Sequence, residues 1–251
     1  MKSIGVYNIK GGVGKTSAAV NLAYLASADG FRTLLWDIDP QGSATFYLHK
    51  KQGMNVSLKK VIAGKEDISE YIKKTDYENL SLLPSDFSMR NLDILLDDVK
   101  KSRKRLTGIL KTLKDSYDIV IMDCPPSISL LSENVFHAAD ILLVPMIPTP
   151  LSRRTYLQII EFYRENELDD SVIVPFFSMA EKRKKIHSSS MEELSKTIPG
   201  ICENYIPYLS EIEKMGVVRK PVAIRSMKSR GSAAFHMLWD EFRKKHLDKK
   251  S

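Results

Sequence analysis

The stretch Ile9-Lys10-Gly11-Gly12-Val13-Gly14-Lys15-Thr16-Ser17 constrains this chain more than any other, because it sets a glycine-rich turn between an apolar strand pattern and a helical one. Glycines at 11, 12 and 14 let successive backbone N–H groups point at anionic oxygens. The helix that follows adds the positive end of its dipole. In such a cradle Lys15 supplies a point charge for the β- and γ-phosphates of a nucleotide, and the Thr16 hydroxyl is the usual Mg²⁺ ligand. Lys10, Gly11, Gly12, Val13, Gly14, Lys15, Thr16 and Ser17 therefore form the candidate nucleotide-binding turn. It departs from the ordinary phosphate-loop pattern in two ways: Ile9 stands where a glycine is expected, and a second lysine, Lys10, precedes the glycine pair.

Around this turn the apolar pattern alternates between strand and helix. Residues 4–8 read as a buried strand and Ser17 to Ala28 as a helix, followed by strands at Thr33–Trp36, Leu80–Leu83, Asp140–Val144 and Val172–Phe177. Ile206-Pro207 closes a last strand candidate. Tyr156, Ile159, Ile160 and Tyr163 have the spacing of a helix packed on a sheet, as do Phe235, Leu238, Trp239 and Phe242 near the end of the sequence. The latter stripe is narrow and reads as a core-docking helix rather than a membrane anchor. The alternation predicts an α/β fold, a mostly parallel twisted sheet with helices on both faces, and 251 residues fit a single domain over 1–251.

Two further acidic sites fall at strand ends, where open α/β sheets gather their chemistry. Asp37-Ile38-Asp39-Pro40-Gln41-Gly42 follows the second strand, and its carboxylates read as ligands of Mg²⁺ and water. Tyr117-Asp118-Ile119-Val120-Ile121-Met122-Asp123 is an apolar strand closed by an acid, with Cys124-Pro125-Pro126 behind it. A carboxylate ending a buried strand makes sense if Asp123 faces Mg²⁺ or its water shell. Thr16, Asp37 and Asp123 are the candidate metal residues.

Cys124 and Cys202, far apart and outside any CxxC pair, support neither a disulfide framework nor a zinc site. A reducing cytoplasm is expected, with no signal region and no apolar run long enough for a membrane span. His187 has no partner at a metal-ligand spacing and reads as structural. The net charge of +7 fits a polyanionic partner, although nucleotide binding also calls for basic residues. The run Lys100–Arg105 reads as a solvated helix face, Lys182–Lys185 suits a solvated loop or a nucleic-acid contact equally, and Leu58–Ile62 reads as a short amphipathic piece. Arg219, Lys220, Arg225, Lys228 and Arg230 cluster just before the last helix, where a salt-sensitive contact to phosphates is plausible.

KGGVGKTS, DIDPQG and YDIVIMDCPP resemble the deviant Walker A box, the DxDPQG box and the YDxxxxDxPP box of the ParA/Soj/MinD ATPases. The resemblance runs over nearly the whole chain, weakly between residues 49 and 114, and no helix-turn-helix extension precedes the first box, as in the short form of the group. It implies a slow, partner-stimulated ATP hydrolase using ATP and Mg²⁺. Its catalytic residues would be Lys15, Lys10 reaching into a partner's site across an ATP-dependent homodimer, and Asp39 positioning the attacking water. Asp37 would act on the metal through water. Met179 and Pro207 fall where the group contacts the nucleotide, with Tyr208 in place of the usual arginine and Glu181 in place of a common aspartate. The resemblance also implies non-specific binding of duplex DNA near the carboxyl end, a ParB-type stimulating protein, plasmid or chromosome partition, and a cytoplasmic, nucleoid-associated location with no membrane partner. Alternatives within the same class are a MinD- or FlhG-like regulator at a membrane, a positioning ATPase for a protein assembly, and a metabolic or metal-transfer enzyme.

Overall fold

The computed structural model describes residues 1–48, 60–61, 66–85 and 102–248. Among these, seven strands form one sheet in the order β3-β4-β2-β5-β1-β6-β7, with β1 at Lys2–Val6, β2 at Thr33–Asp37, β3 at Lys73–Lys74, β4 at Leu80–Leu83, β5 at Ile119–Asp123, β6 at Ile141–Met146 and β7 at Ile173–Phe177. Every pairing is parallel except that of β3 with β4. Parallel strands covered on both faces must be apolar at nearly every position. β2, β5, β6 and β7 are buried throughout, and β1 in all but its first residue.

The period-two alternation of each strand divides the core into two layers. Ile4, Val6, Leu35, Ile121 and Leu143 share one layer with α1 (Lys15–Ala28) and the last helix. Leu34, Trp36, Val120, Met122 and Val144 share the other with α3 (Arg105–Thr112), α4 (Leu130–Ala138) and α5 (Pro150–Glu165), and Leu194 of α6 (Lys185–Thr197) joins them. A short α2 (Ser43–Leu48) follows β2, while α7 (Ser210–Glu213) and α8 (Met215–Val218) precede α9 (Arg230–His246). The mostly parallel sheet with helices on both faces is as the alternation predicts. Phe235, Leu238, Trp239 and Phe242 of α9 are at most 1% exposed, so this stripe is spent on the core. No described helix is long and apolar enough to cross a membrane.

Two expectations need correction. The strands at residues 4–8 and Asp140–Val144 are shifted, to Lys2–Val6 and Ile141–Met146, because Tyr7 and Asn8 already turn into the glycine-rich loop and Asp140 instead caps Ser3, accepting from its amide and hydroxyl at 2.8 Å each. Ile206-Pro207 does not close a strand; it makes only an isolated bridge between Ala180 and Pro207. A ladder there is blocked. Pro207 has no N–H, and the amides of Glu203 and Asn204 donate to the Glu241 carboxylate at 2.8 Å each. The segment still lies along the edge of β7, with Cys202 N donating to Pro175 O and Ile206 N to Phe177 O. Lys100, Lys101, Leu58, Lys59 and Ile62 lie outside the described residues. Of the same basic run, Arg103 pairs with Glu133 at 3.0 Å and the Arg105 amide donates to Asn134 Oδ1 at 2.9 Å.

Gly5 sets the distance between β1 and the layer above it: a Cβ there would lie 2.8 Å from Val135 Cγ1 and 3.1 Å from Leu142 Cδ1. Gly5→Ala is expected to lower the unfolding free energy by about 1–3 kcal/mol through overpacking, read as a lower urea midpoint with an unchanged slope.

Candidate functional site

The strand order puts β5 between β2 and β1, so the carboxyl ends of all three meet, and each is followed by one of the three sequence boxes. Asp123 is in register with Val6 on one side and Asp37 on the other. Since Leu35 and Ile121, two residues earlier on their strands, pack in the α1 layer, both carboxylates point to the face where α1 begins. Both are fully buried.

The turn before α1 is held by its neighbours rather than by its own side chains. Buried Asn8 donates from Nδ2 to Pro145 O at 2.8 Å and accepts from the Lys10 amide at 2.9 Å, fixing the entry. Gly14 is the N-cap of α1 at φ 89°, with no side-chain cap, which leaves the first amides of the helix available to anionic oxygens. Only glycine fits there, because a Cβ would sit 2.6 Å from Ser178 Oγ as well as in the left-handed region. Val13 is buried beneath the turn, and Lys15 Nζ, itself largely buried, donates to Lys10 O at 2.9 Å. Burial lowers the Lys15 pKa, against the pull of Asp123.

A cavity of about 390 Å³ opens over this turn. Gly11, Gly12, Gly14, Lys15, Thr16 and Ser17 line one end with Asp39, and Met179, Ile206, Pro207, Tyr208, Ile212 and Glu213 line the other. The structure thus brings Met179 and Pro207 to the same cavity as the glycine turn. Lys10 does not line the cavity of its own chain. Sequence reasoning missed Gln41, Tyr47 and Ser178, which also face it, and Thr45, which does not. Thr45 donates from both its amide and its hydroxyl to Asp37 Oδ2, at 2.7 Å each, and its hydroxyl accepts from the Ser85 amide at 2.9 Å. Asp39 Oδ1 accepts from the Gln41 amide at 2.9 Å, so the turn after β2 is self-supported.

The remaining oxygens carry the chemical signal. Asp37 Oδ1 and both oxygens of Asp123 are buried without a hydrogen bond of ordinary geometry, with the Thr16 hydroxyl a donor close enough to Asp123 to favour its charged form. Burial, reinforced at Asp123 by Asp37, pushes both carboxyls above the usual carboxylate range. Two such groups side by side fit a divalent cation that keeps part of its water shell. No group of three or more acidic, histidine or cysteine side chains forms a full cage among the described residues. His187, by contrast, is buried and accepts from the Glu181 amide through Nδ1 at 3.0 Å, a structural use. Cys124 is fully buried, and burial raises its thiol pKa well above normal. Lys220, Arg225 and Lys228 are exposed on the segment before α9 and Arg230 is exposed at its first residue, with Arg225 3.9 Å from Glu211. The guanidinium of Arg219 is turned towards α2 instead, with Nε donating to Phe46 O at 2.8 Å.

Residues 1–172 match the AAA domain family. The sporulation initiation inhibitor protein Soj of Bacillus subtilis (strain 168) is 29% identical over 93% of this chain and 95% of its own length. The virulence plasmid ParA family protein pGP5-D of Chlamydia psittaci is 33% identical over 80% of this chain and 78% of its own. A protein described as a putative plasmid partition protein from Borrelia burgdorferi B31, solved bound to AMPPNP, superposes with a TM-score of 0.83 at 25% identity, covering 97% of this chain and 98% of that one.

Carboxyls with raised folded pKa values bind protons more tightly in the native than in the unfolded protein. Their contribution is therefore present below the unfolded carboxylate range and is lost as pH rises from about 4 through the raised values, by up to about 1.4 kcal/mol per pH unit for each group. Urea unfolding of the metal-free protein should show stability falling over this window. Mg²⁺ with nucleotide should flatten the fall. Asp123→Asn should flatten it without Mg²⁺, and an unaltered profile in that variant would refute the account.

Proposed function

Because the chain belongs to the ParA/Soj group of the MinD/ParA superfamily of ATPases, we propose that it is an Mg²⁺-dependent ATP switch that dimerises around ATP, binds duplex DNA without sequence preference and drives plasmid or chromosome partition with a ParB-type stimulating protein. The observation that carries the switch is the meeting of the glycine turn, buried Lys15 and the buried Asp37–Asp123 pair, short of hydrogen bonds, at neighbouring strand ends.

Lys15, the α1 amides and the Thr16 hydroxyl bind the β- and γ-phosphates and their metal, with Asp123 and, through water, Asp37 behind them. Mg²⁺ there would supply the positive charge that offsets the charge gathering on the transferred phosphoryl group. Asp39, at the rim of the cavity, orients the attacking water. Met179 and Pro207 hold the base. Lys10 completes the partner's site. What supports the last assignment is its position: its amide and carbonyl are fixed by Asn8 and Lys15, and it stands outside the cavity of its own chain. A site completed only by a second copy turns over slowly alone.

DNA binding rests on the exposed bases Lys220, Arg225, Lys228 and Arg230, with Arg219 at the start of the cluster. Pairing two such clusters in the ATP dimer raises affinity through effective concentration, which gates DNA binding by nucleotide. A membrane-bound, MinD-like role through the last helix is disfavoured, since the apolar stripe of α9 is already buried in the core.

Binding of random-sequence duplex DNA, measured at two salt concentrations without nucleotide, with ADP and with a slowly hydrolysed ATP analogue, tests this reading. Binding only with the ATP analogue, weakening steeply with salt, is expected; binding in no state would remove the partition role. Arg225→Glu combined with Lys228→Glu should cost at least tenfold in affinity and shallow the salt slope. Lys10→Ala should abolish ATP-induced dimerisation in light scattering, and a variant that still dimerises would rule out the trans lysine.

A further inference from the structure

Arg219 ends α8 in the left-handed region, at φ 49° and ψ 52°. Gly12, Gly14, Gly30, Gly42 and Gly200 take up comparable positive φ values at other turns, and among the described residues Arg219 shares this strained region with three other non-glycine residues, Asn79, Glu167 and Met179. Such strain persists where surrounding contacts over-determine the conformation. Those contacts are on α2. Arg219 Nε donates to Phe46 O at 2.8 Å, and its guanidinium carbon lies 4.5 Å from the centroid of the Phe46 ring, within cation–π range. Phe46 is 49% exposed, so the arginine covers an aromatic side chain that the core does not hold. One residue before Phe46 is Thr45, which caps Asp37 with two hydrogen bonds. On the other side, the Phe46 amide donates to Gly42 O, and the Gly42 amide to Asp39 O, at 2.8 Å each. The arginine therefore grips α2 just past the turn that carries Asp39, one residue from the threonine that caps Asp37 at the end of β2.

The segment holding Arg219 is also tied to α1. Ala223 N donates to buried Asn21 Oδ1 at 2.9 Å, and Asn21 Nδ2 donates to Ser17 O at 2.7 Å. The basic segment thus spans α1 and α2, the two helices whose beginnings flank the cavity. We infer that Arg219 is a positioning residue that clamps α2 so that Thr45 holds Asp37, tying the metal end of the site to the basic segment that follows. The clamp stands on geometry alone. Its consequence for Mg²⁺ use rests on the function proposed above.

Amide hydrogen exchange of the full-length protein without nucleotide, followed at residues 42–48, tests the clamp directly. Arg219→Gly relieves the backbone strain but removes the side chain, Arg219→Lys keeps the charge but loses the planar stacked group and its Nε donor, and Phe46→Leu keeps the carbonyl but loses the ring. In both Arg219 variants the Thr45 and Phe46 amides should exchange about tenfold faster, with a smaller rise in Phe46→Leu and no change in β1 and β5. In the same order, the Mg²⁺ concentration giving half-maximal ATP turnover should rise severalfold. Native exchange at 42–48 in Arg219→Gly, full protection retained by Arg219→Lys, or an equal acceleration in β1 and β5 would each overturn the clamp. If the native protein hydrolyses no ATP, the proposed function falls, while the exchange result still decides the clamp.

Discussion

Two carboxylates at the ends of neighbouring parallel strands, buried on the same face and short of hydrogen bonds, are the constraint on which the rest of the structure depends. Desolvation disfavours their charged forms, and neighbouring acids add to that cost, Asp39 at Asp37 and Asp37 at Asp123. Such a pair persists only where the surroundings are rigid enough to hold it. The sheet supplies that rigidity through register, α1 sets its positive end opposite, and Thr45 satisfies one of the oxygens. The arrangement is costly for folding and suited to binding a cation beside phosphates, a compromise expected at a functional site.

The sheet class, its two helical layers and the three boxes were legible because each rests on local pattern: buried parallel strands read as apolar runs, and the glycine turn carries its chemistry in consecutive residues. Met179 and Pro207 were placed by resemblance, and they do line the cavity of the glycine turn. What stayed hidden is non-local. Nothing adjacent in sequence says that Ser178 will close on Gly14, that Asn8 will reach Pro145, or that Ser85 will donate to Thr45. Thr45 was missed although it is only six residues past Asp39, because a threonine opening a short helix reads as an ordinary polar residue until Asp37 is known to need a donor. The extended segment before Pro207 misled for the opposite reason: its apolar residues fit a strand, while the Glu241 carboxylate that takes the amides of Glu203 and Asn204 lies on α9.

The basic cluster shows the same division. Charge density in sequence marks the segment from Arg219 to Arg230, but charge does not say which way each side chain turns. Arg219 faces inward to α2, whereas Lys220, Arg225, Lys228 and Arg230 remain exposed. One run of residues therefore joins an outward electrostatic surface to an inward mechanical contact, with Asn21 of α1 as a second anchor. The exposed basic residues are thereby tied to the two helices that flank the cavity.

The covered edge of β7 has a bearing on solubility. An open strand edge offers unpaired amides and carbonyls to any neighbouring chain and is a template for aggregation. Among the described residues, one border of the sheet is lined by the segment around Cys202–Ile206, which is pinned by Glu241 and cannot itself continue the ladder. The other border is β3, two residues long and made of lysines. Both borders of the sheet are thus blunted, so that any contact between copies of the chain falls to surfaces other than its strand edges.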